Sequence, residues 1–85
     1  MEAFIAGDVI APHYGLRLFD KHGQPFLFRD TDVAIVLTAQ KRVPHDTCAV
    51  DTIFDVTLLH GDGQIRHYPV LDPQLFWCGK SGKRP

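Results

Sequence analysis

Ile53-Phe54-Asp55-Val56-Thr57-Leu58-Leu59-His60-Gly61-Asp62-Gly63-Gln64-Ile65-Arg66-His67-Tyr68-Pro69-Val70-Leu71 is the stretch on which the fold turns. Two runs rich in β-branched, aromatic and aliphatic residues flank a Gly-Asp-Gly step, and an Asp-Gly pair between such runs is a strong hairpin signal. Two registers fit. A two-residue Asp62-Gly63 loop sets Leu58 opposite His67, with Val56, Leu58 and Ile65 on one face. A three-residue loop with Gly63 in a bulge sets Leu59 opposite Ile65 and Val56 opposite Tyr68. The alternation of Phe54, Val56 and Leu58 favours the first.

Outward from the hairpin, residues 33–39 read as a strand apolar on both faces, as expected at the centre of a closed sheet. Residues 40–49 form the longest polar loop. Before them, Asp30-Thr31-Asp32 is a turn whose side chains cap backbone amides. Residues 26–29 are extended, 21–25 turn with Gly23 at positive φ, and 16–19 and 8–11 are short strands. On the far side, Asp72-Pro73-Gln74-Leu75-Phe76 fits one helical turn, with Asp72 as its cap and Pro73 at its first position. Phe76-Trp77-Cys78 then closes the barrel. Gly or Pro recurs every several residues, so few windows hold three helical turns. The expectation is an all-β chain: one small barrel of five or six strands over residues 1–78, with one helical turn and a basic tail at 79–85.

Eighty-five residues allow one domain with a thin stability margin. A formal charge of −1 creates no global field to attract nucleic acid. No apolar run approaches the ~20 residues of a membrane span, and the first residues lack a basic start and a long apolar core. A soluble chain inside a cell, with no membrane partner, is the expectation. Cys48 and Cys78 are too few for a disulfide framework and read as small buried apolar side chains.

A family pattern overlies these letters. Gly7-Asp8-Val9-Ile10 looks like the first strand of many SH3-like barrels, and Ala34-Ile35-Val36-Leu37 like a following one. The run from Asp55 to Pro69 resembles the hairpin of small SH3-like proteins of tailed bacteriophages. There an apolar strand, an Asp-Gly turn and an Ile-Arg-aromatic-Pro return are followed by a helical turn. The resemblance covers about half of the chain, and the segment from Pro12 to Asp32 departs from it by its length and phenylalanines. It implies a non-enzymatic accessory or structural role, often within a virion.

The residues offer little chemistry. Gly79-Lys80-Ser81 echoes a phosphate-binding loop, but Gln74 stands where that loop needs glycine and no helix follows. His45-Asp46-Thr47-Cys48 has the spacing of half a zinc site. A second close pair is missing, so His13, His22, His45, His60 and His67 read as solvated loop histidines and no metal or other cofactor is expected. Ser81, the only serine, lies in the tail, and no elbow or oxyanion hole surrounds Cys48. No catalytic residue is assigned. Nucleic-acid binding through Arg66, His67, Tyr68 and the tail cations is the rival reading, opposed by an isoelectric point near 6.5.

Nine aromatic residues are many for so small an interior, so some rings are expected outside, where they favour a protein interface. The function expected is attachment to a protein assembly: a capsid cement or decoration subunit of a phage particle, docking on the major capsid protein or another virion protein. The chain then oligomerises through that assembly and resides in the virion or the host cytoplasm. A phage-encoded inhibitor of a host protein is the other non-catalytic alternative. Phe4, Ile5, Arg66, Tyr68, Trp77, Lys80, Lys83 and Arg84 are the candidate partner-binding residues, as terminal strand, hot-spot side chains and tail cations.

Overall fold

Alternating side chains of opposite character require a sheet with one face buried, and Ile53–His60 meets that requirement most strictly: Phe54, Val56, Leu58 and His60 are buried and the residues between them are not. A computed structural model describes residues 4–42 and 53–79. They form β1 (Val9–Pro12), β2 (Leu16–Phe19), β3 (Pro25–Phe28), β4 (Ala34–Arg42), β5 (Ile53–His60), β6 (Ile65–Leu71) and β7 (Phe76–Gly79), with a 3₁₀ turn at Pro73–Leu75. The protein is all-β. Where five or six strands were expected, the described residues hold seven, in two antiparallel sheets. One sheet has the order β6-β5-β4-β1-β7, and β2 and β3 pair as a separate ribbon. Among the described residues these sheets do not join into a closed barrel. The extra strand arises because residues 16–28 make their own hairpin, turned by Asp20, whose Oδ1 accepts the amides of His22 and Gln24, and by Gly23 at φ 78°.

The β5–β6 hairpin takes the three-residue register, which corrects the one favoured from the alternation of β5 alone. Leu59 faces Ile65, Leu58 faces Arg66 and Val56 faces Tyr68. The cause lies in the turn. An Asp62-Gly63 type I′ turn needs positive φ at both residues, yet only Gly63 has it, at 85°. Asp62 instead accepts the Gln64 amide at 2.9 Å, and the Gly63 amide donates to the His60 carbonyl at 3.0 Å. Ile65 is thereby turned outward, 63% exposed, and Tyr68 inward. Lower in the hairpin the register shifts between Phe54 and Val56, so Pro69 and Val70 together oppose Asp55. Proline has no amide to give to the ladder, and the bulge brings Tyr68 and Leu71, three residues apart, onto the buried face.

β4 also differs from expectation. It was read as buried on both faces, but Ala34 and Val36 are buried while Ile35 and Leu37 are exposed, because the β2–β3 ribbon packs on one side only. A bulge between Val36 and Thr38 sets Leu37 and Thr38 together against Thr57. The strand runs on to Arg42, into residues read as loop. The rest of that loop, with His45 and Cys48, lies outside the described residues. As expected, Asp72 caps the 3₁₀ turn by accepting the Gln74 amide, with Pro73 at its first position; the strand that follows, β7, pairs with β1 rather than closing a barrel among the described residues.

The core gathers Phe4, Ile10, Phe28, Val36, Phe54, Val56, Leu58, Tyr68, Leu71 and Phe76 between the five-stranded sheet and the ribbon, with Leu16, Leu18 and Phe26 packed against it. Because Gly63 is the residue of the β5–β6 turn that carries the left-handed conformation, Gly63→Ala is expected to lower stability by about 1 kcal/mol. Gly61→Ala, whose added methyl meets only ordinary contact with the Val33 carbonyl, is expected to stay within about 0.5 kcal/mol. Chemical denaturation of the two variants beside the parent chain measures the difference.

Candidate functional site

The alternation that buries Phe54, Val56 and Leu58 carries on to His60, the last residue of β5, and forces an imidazole into the interior, 3% exposed. This corrects the reading of His60 as a solvated loop residue; the signal was the unbroken period of two. Its Nε2 shares a 2.9 Å hydrogen bond with the Tyr68 hydroxyl, which the three-residue register delivers to the same face. Phe26 lies 4.3 Å from the imidazole centroid and Phe28 5.2 Å, so rings of both sheets pack on it. Arg66 is held 4.2 Å over the Phe26 ring while its guanidinium pairs with Asp62 across the turn.

This joint opens on one side as a cleft of about 280 Å³, whose lining includes Phe26, Leu27, Arg29, Asp32, Val33 and His60. Leu27 and Val33 are exposed apolar walls. Asp32 accepts the Arg29 amide at 3.0 Å, which fixes the 29–32 turn at the rim, as read from the sequence. Burial, reinforced by the Arg66 charge, lowers the His60 pKa to about 4, although Asp62 and Asp32 oppose the shift. Burial likewise pushes Tyr68 up to about 12. The pair is therefore a neutral imidazole bonded to a neutral phenol at pH 7, a site for hydrogen bonding rather than for charge.

A second feature lies on the opposite face of the large sheet. The ladder places Val9 beside Ile35, Ile35 beside Leu59 and Leu59 beside Ile65, an apolar row across β1, β4, β5 and β6. Its members are partly or openly exposed, Ile35 at 39%. On the same face of β5 and β6, the partly buried Asp55 carboxylate and His67 Nε2 are in hydrogen-bond contact.

The candidate partner-binding residues are distributed unevenly. Phe4 and Tyr68 belong to the core, Phe4 edge-on to Phe54 and Phe76, because the inward face needs large fillers; neither is offered to a partner. Arg66 is engaged by Asp62 and Phe26, which takes it out of a cationic stripe. Ile5 is exposed, and Trp77 is half-buried with its ring edge-on to His13 at 4.2 Å. Lys80, Lys83 and Arg84 lie outside the described residues. Phe19 and Tyr14 are the rings most exposed among those described. No three His, Cys, Asp or Glu side chains converge as metal ligands among the described residues, and no helix there is long and apolar enough to cross a membrane.

The depressed His60 pKa fixes a pH dependence. Above pH 6.5 the imidazole is neutral in both folded and unfolded chains and contributes no slope. As pH falls from 6.5 towards 4 the unfolded chain takes up the proton first, so stability is lost over that interval, by roughly 3 kcal/mol at about 1.4 kcal/mol per pKa unit. Denaturant midpoints measured from pH 7 to 4 are expected to fall for the parent chain and to flatten in His60→Gln relative to that variant's own value at pH 7. Compared with protein-family models, curated proteins and solved structures, the chain matches none of them.

Proposed function

We propose that this chain is a non-enzymatic protein-interaction module built as an SH3-like barrel. The reading of its barrel type is supported by a final strand that follows a 3₁₀ turn and pairs with the first strand, beyond the β5–β6 hairpin. The observation that carries the interaction reading is the apolar row Val9–Ile35–Leu59–Ile65. An antiparallel sheet with one solvated face ordinarily alternates apolar-in and polar-out. Here one outward position on each of four adjacent strands is aliphatic, and together they make a contiguous, partly exposed apolar row, surface of a kind that favours association with another protein. The resemblance of the hairpin to small phage proteins supports the narrower reading, an accessory cement or decoration subunit of a phage particle.

Native mass analysis of the complexes formed in the cell that makes this chain tests the proposal, with Ile35→Lys and Ile65→Lys run beside the parent. Both positions are exposed and lysine can lay its stem along the sheet, so each variant is expected to fold with an unchanged far-ultraviolet spectrum. The parent chain is expected in fixed stoichiometry with a larger protein, and the variants as free chains. A parent chain found only free, or variants retained in the complex, overturns the reading. Copy number separates a repeated structural subunit from an inhibitor bound one to one.

A further inference from the structure

The β2–β3 ribbon has an outer face of its own. Its register sets Arg17 opposite Leu27 and Phe19 opposite Pro25. Leu16, Leu18, Phe26 and Phe28 turn inward to the core, so the alternation of each strand points Arg17, Phe19, Pro25 and Leu27 the other way. All four are exposed, Phe19 at 58% and Leu27 at 52%. Water-facing positions of an antiparallel ribbon are ordinarily polar, yet here all but Arg17 are apolar. No carboxylate lies within ion-pair distance of Arg17 among the described residues. The turn holds the face in shape: Asp20 accepts two amides, and the Lys21 amide donates to the His67 carbonyl of β6 at 2.8 Å. A surface ordered in advance loses little freedom on association.

Geometry and charge constrain what covers it. The ribbon packs on the inner face of the large sheet, so its outer face and the row Val9–Ile35–Leu59–Ile65 lie on opposite sides of the molecule. The row side carries a carboxylate: Asp55 is outward on β5, as Leu59 is, and touches His67. Arg42, at the end of β4, donates to the Pro69 carbonyl instead. Two ribbon faces laid together bring two Arg17 guanidinium groups into one interface, and two row faces bring two Asp55 carboxylates. A ribbon face on a row face sets apolar against apolar and brings Arg17 and Asp55, of opposite sign, into the same interface. That one contact covers both apolar surfaces. A formal charge of −1 adds little repulsion between copies.

We propose that the ribbon face of one copy of this chain docks on the apolar row of a second copy, Phe19 and Leu27 against the row and Arg17 on the side of Asp55. Because the two surfaces lie on opposite sides, the contact is heterologous and repeats head to tail. The inference rests on the interaction reading and deepens it. A second copy is the partner of the row within the array, and the larger protein holds the row left open at its end.

Sedimentation of the purified full chain from about 1 μM to about 1 mM, a range suited to a small interface, is the test. The parent is expected to grow beyond a dimer as concentration rises. Leu27→Asp on the ribbon and Ile35→Lys in the row change exposed positions, and each variant is expected to stay monomeric with the parent's far-ultraviolet spectrum. Mixed in equal amounts, the two are expected to form a one-to-one dimer, through the row of the first and the ribbon of the second, and to stop there. Arg17→Glu added to the Ile35→Lys chain is expected to weaken that dimer about fivefold, the size of an exposed ion pair. Added to the Leu27→Asp chain, whose ribbon is already blocked, it is expected to change nothing. Phe19→Asp and Ile65→Lys repeat the mixture with a second substitution on each surface. A parent that stays monomeric, a single variant that associates as the parent does, or a mixture without dimer overturns the inference. Those results concern the purified chain alone and leave the larger partner to be decided by the complexes formed in the cell, so the two readings fail separately.

Discussion

A file of rings in edge-on and tilted contact joins the two sheets, and the rest of the protein is arranged around it. Phe54 meets Phe4, Phe4 meets Phe76, Phe76 meets Phe28, Phe28 meets His60 and His60 meets Tyr68, with centroids 5.2 to 5.8 Å apart. These residues come from the N-terminal segment, β3, β5, β6 and β7, so one aromatic column ties together parts of the chain that the ladders alone leave separate. Such pairs contribute about 0.5–1.5 kcal/mol each beyond the area they bury. In a domain of this size that contribution is a sizeable part of the net stability.

The column also explains why a histidine lies in the interior of an otherwise apolar core. At its outer end it must be turned off against the five-stranded sheet, where β5 reverses into β6 and the inward position is His60. The imidazole fills the place of a ring and shares a hydrogen bond through Nε2 with the Tyr68 hydroxyl. The cost appears only below pH 6.5, where burial, seen in the depressed pKa, denies the imidazole the proton that the unfolded chain takes up. The Arg66 guanidinium, laid over Phe26 and pinned by Asp62, covers the same end from the solvent side and adds to that depression.

The two faces of the large sheet divide the work. The inner face is closed by the ribbon and its phenylalanines, and the outer face carries Ile35, Leu37, Leu59 and Ile65, partly or openly exposed among the described residues. Leu37 faces outward by the same alternation as Ile35, the bulge after Val36 turns Ala39 against the core, and the hairpin turn adds Ile65 to the outer set. Backbone irregularities of one residue thus decide which aliphatic side chains serve the core and which face outward.

Strand positions, the capped 3₁₀ turn, the Asp20 and Asp32 turns and the hairpin itself were legible in the sequence, because each depends on contacts a few residues apart: period-two burial, a carboxylate reaching back to an amide, a proline at a first helical position. The inward place of His60 was also written there, as the continuation of Phe54, Val56 and Leu58. What tertiary structure alone decided was the register of β6 and the fate of β4's second face. Register depends on which turn conformation and which side-chain set, Tyr68 with Leu71 or Ile65 with His67, packs better against a distant ribbon. Whether Ile35 is covered depends on how far that ribbon extends across the sheet. Both are properties of contacts between segments remote in sequence, and local periodicity carries no information about them.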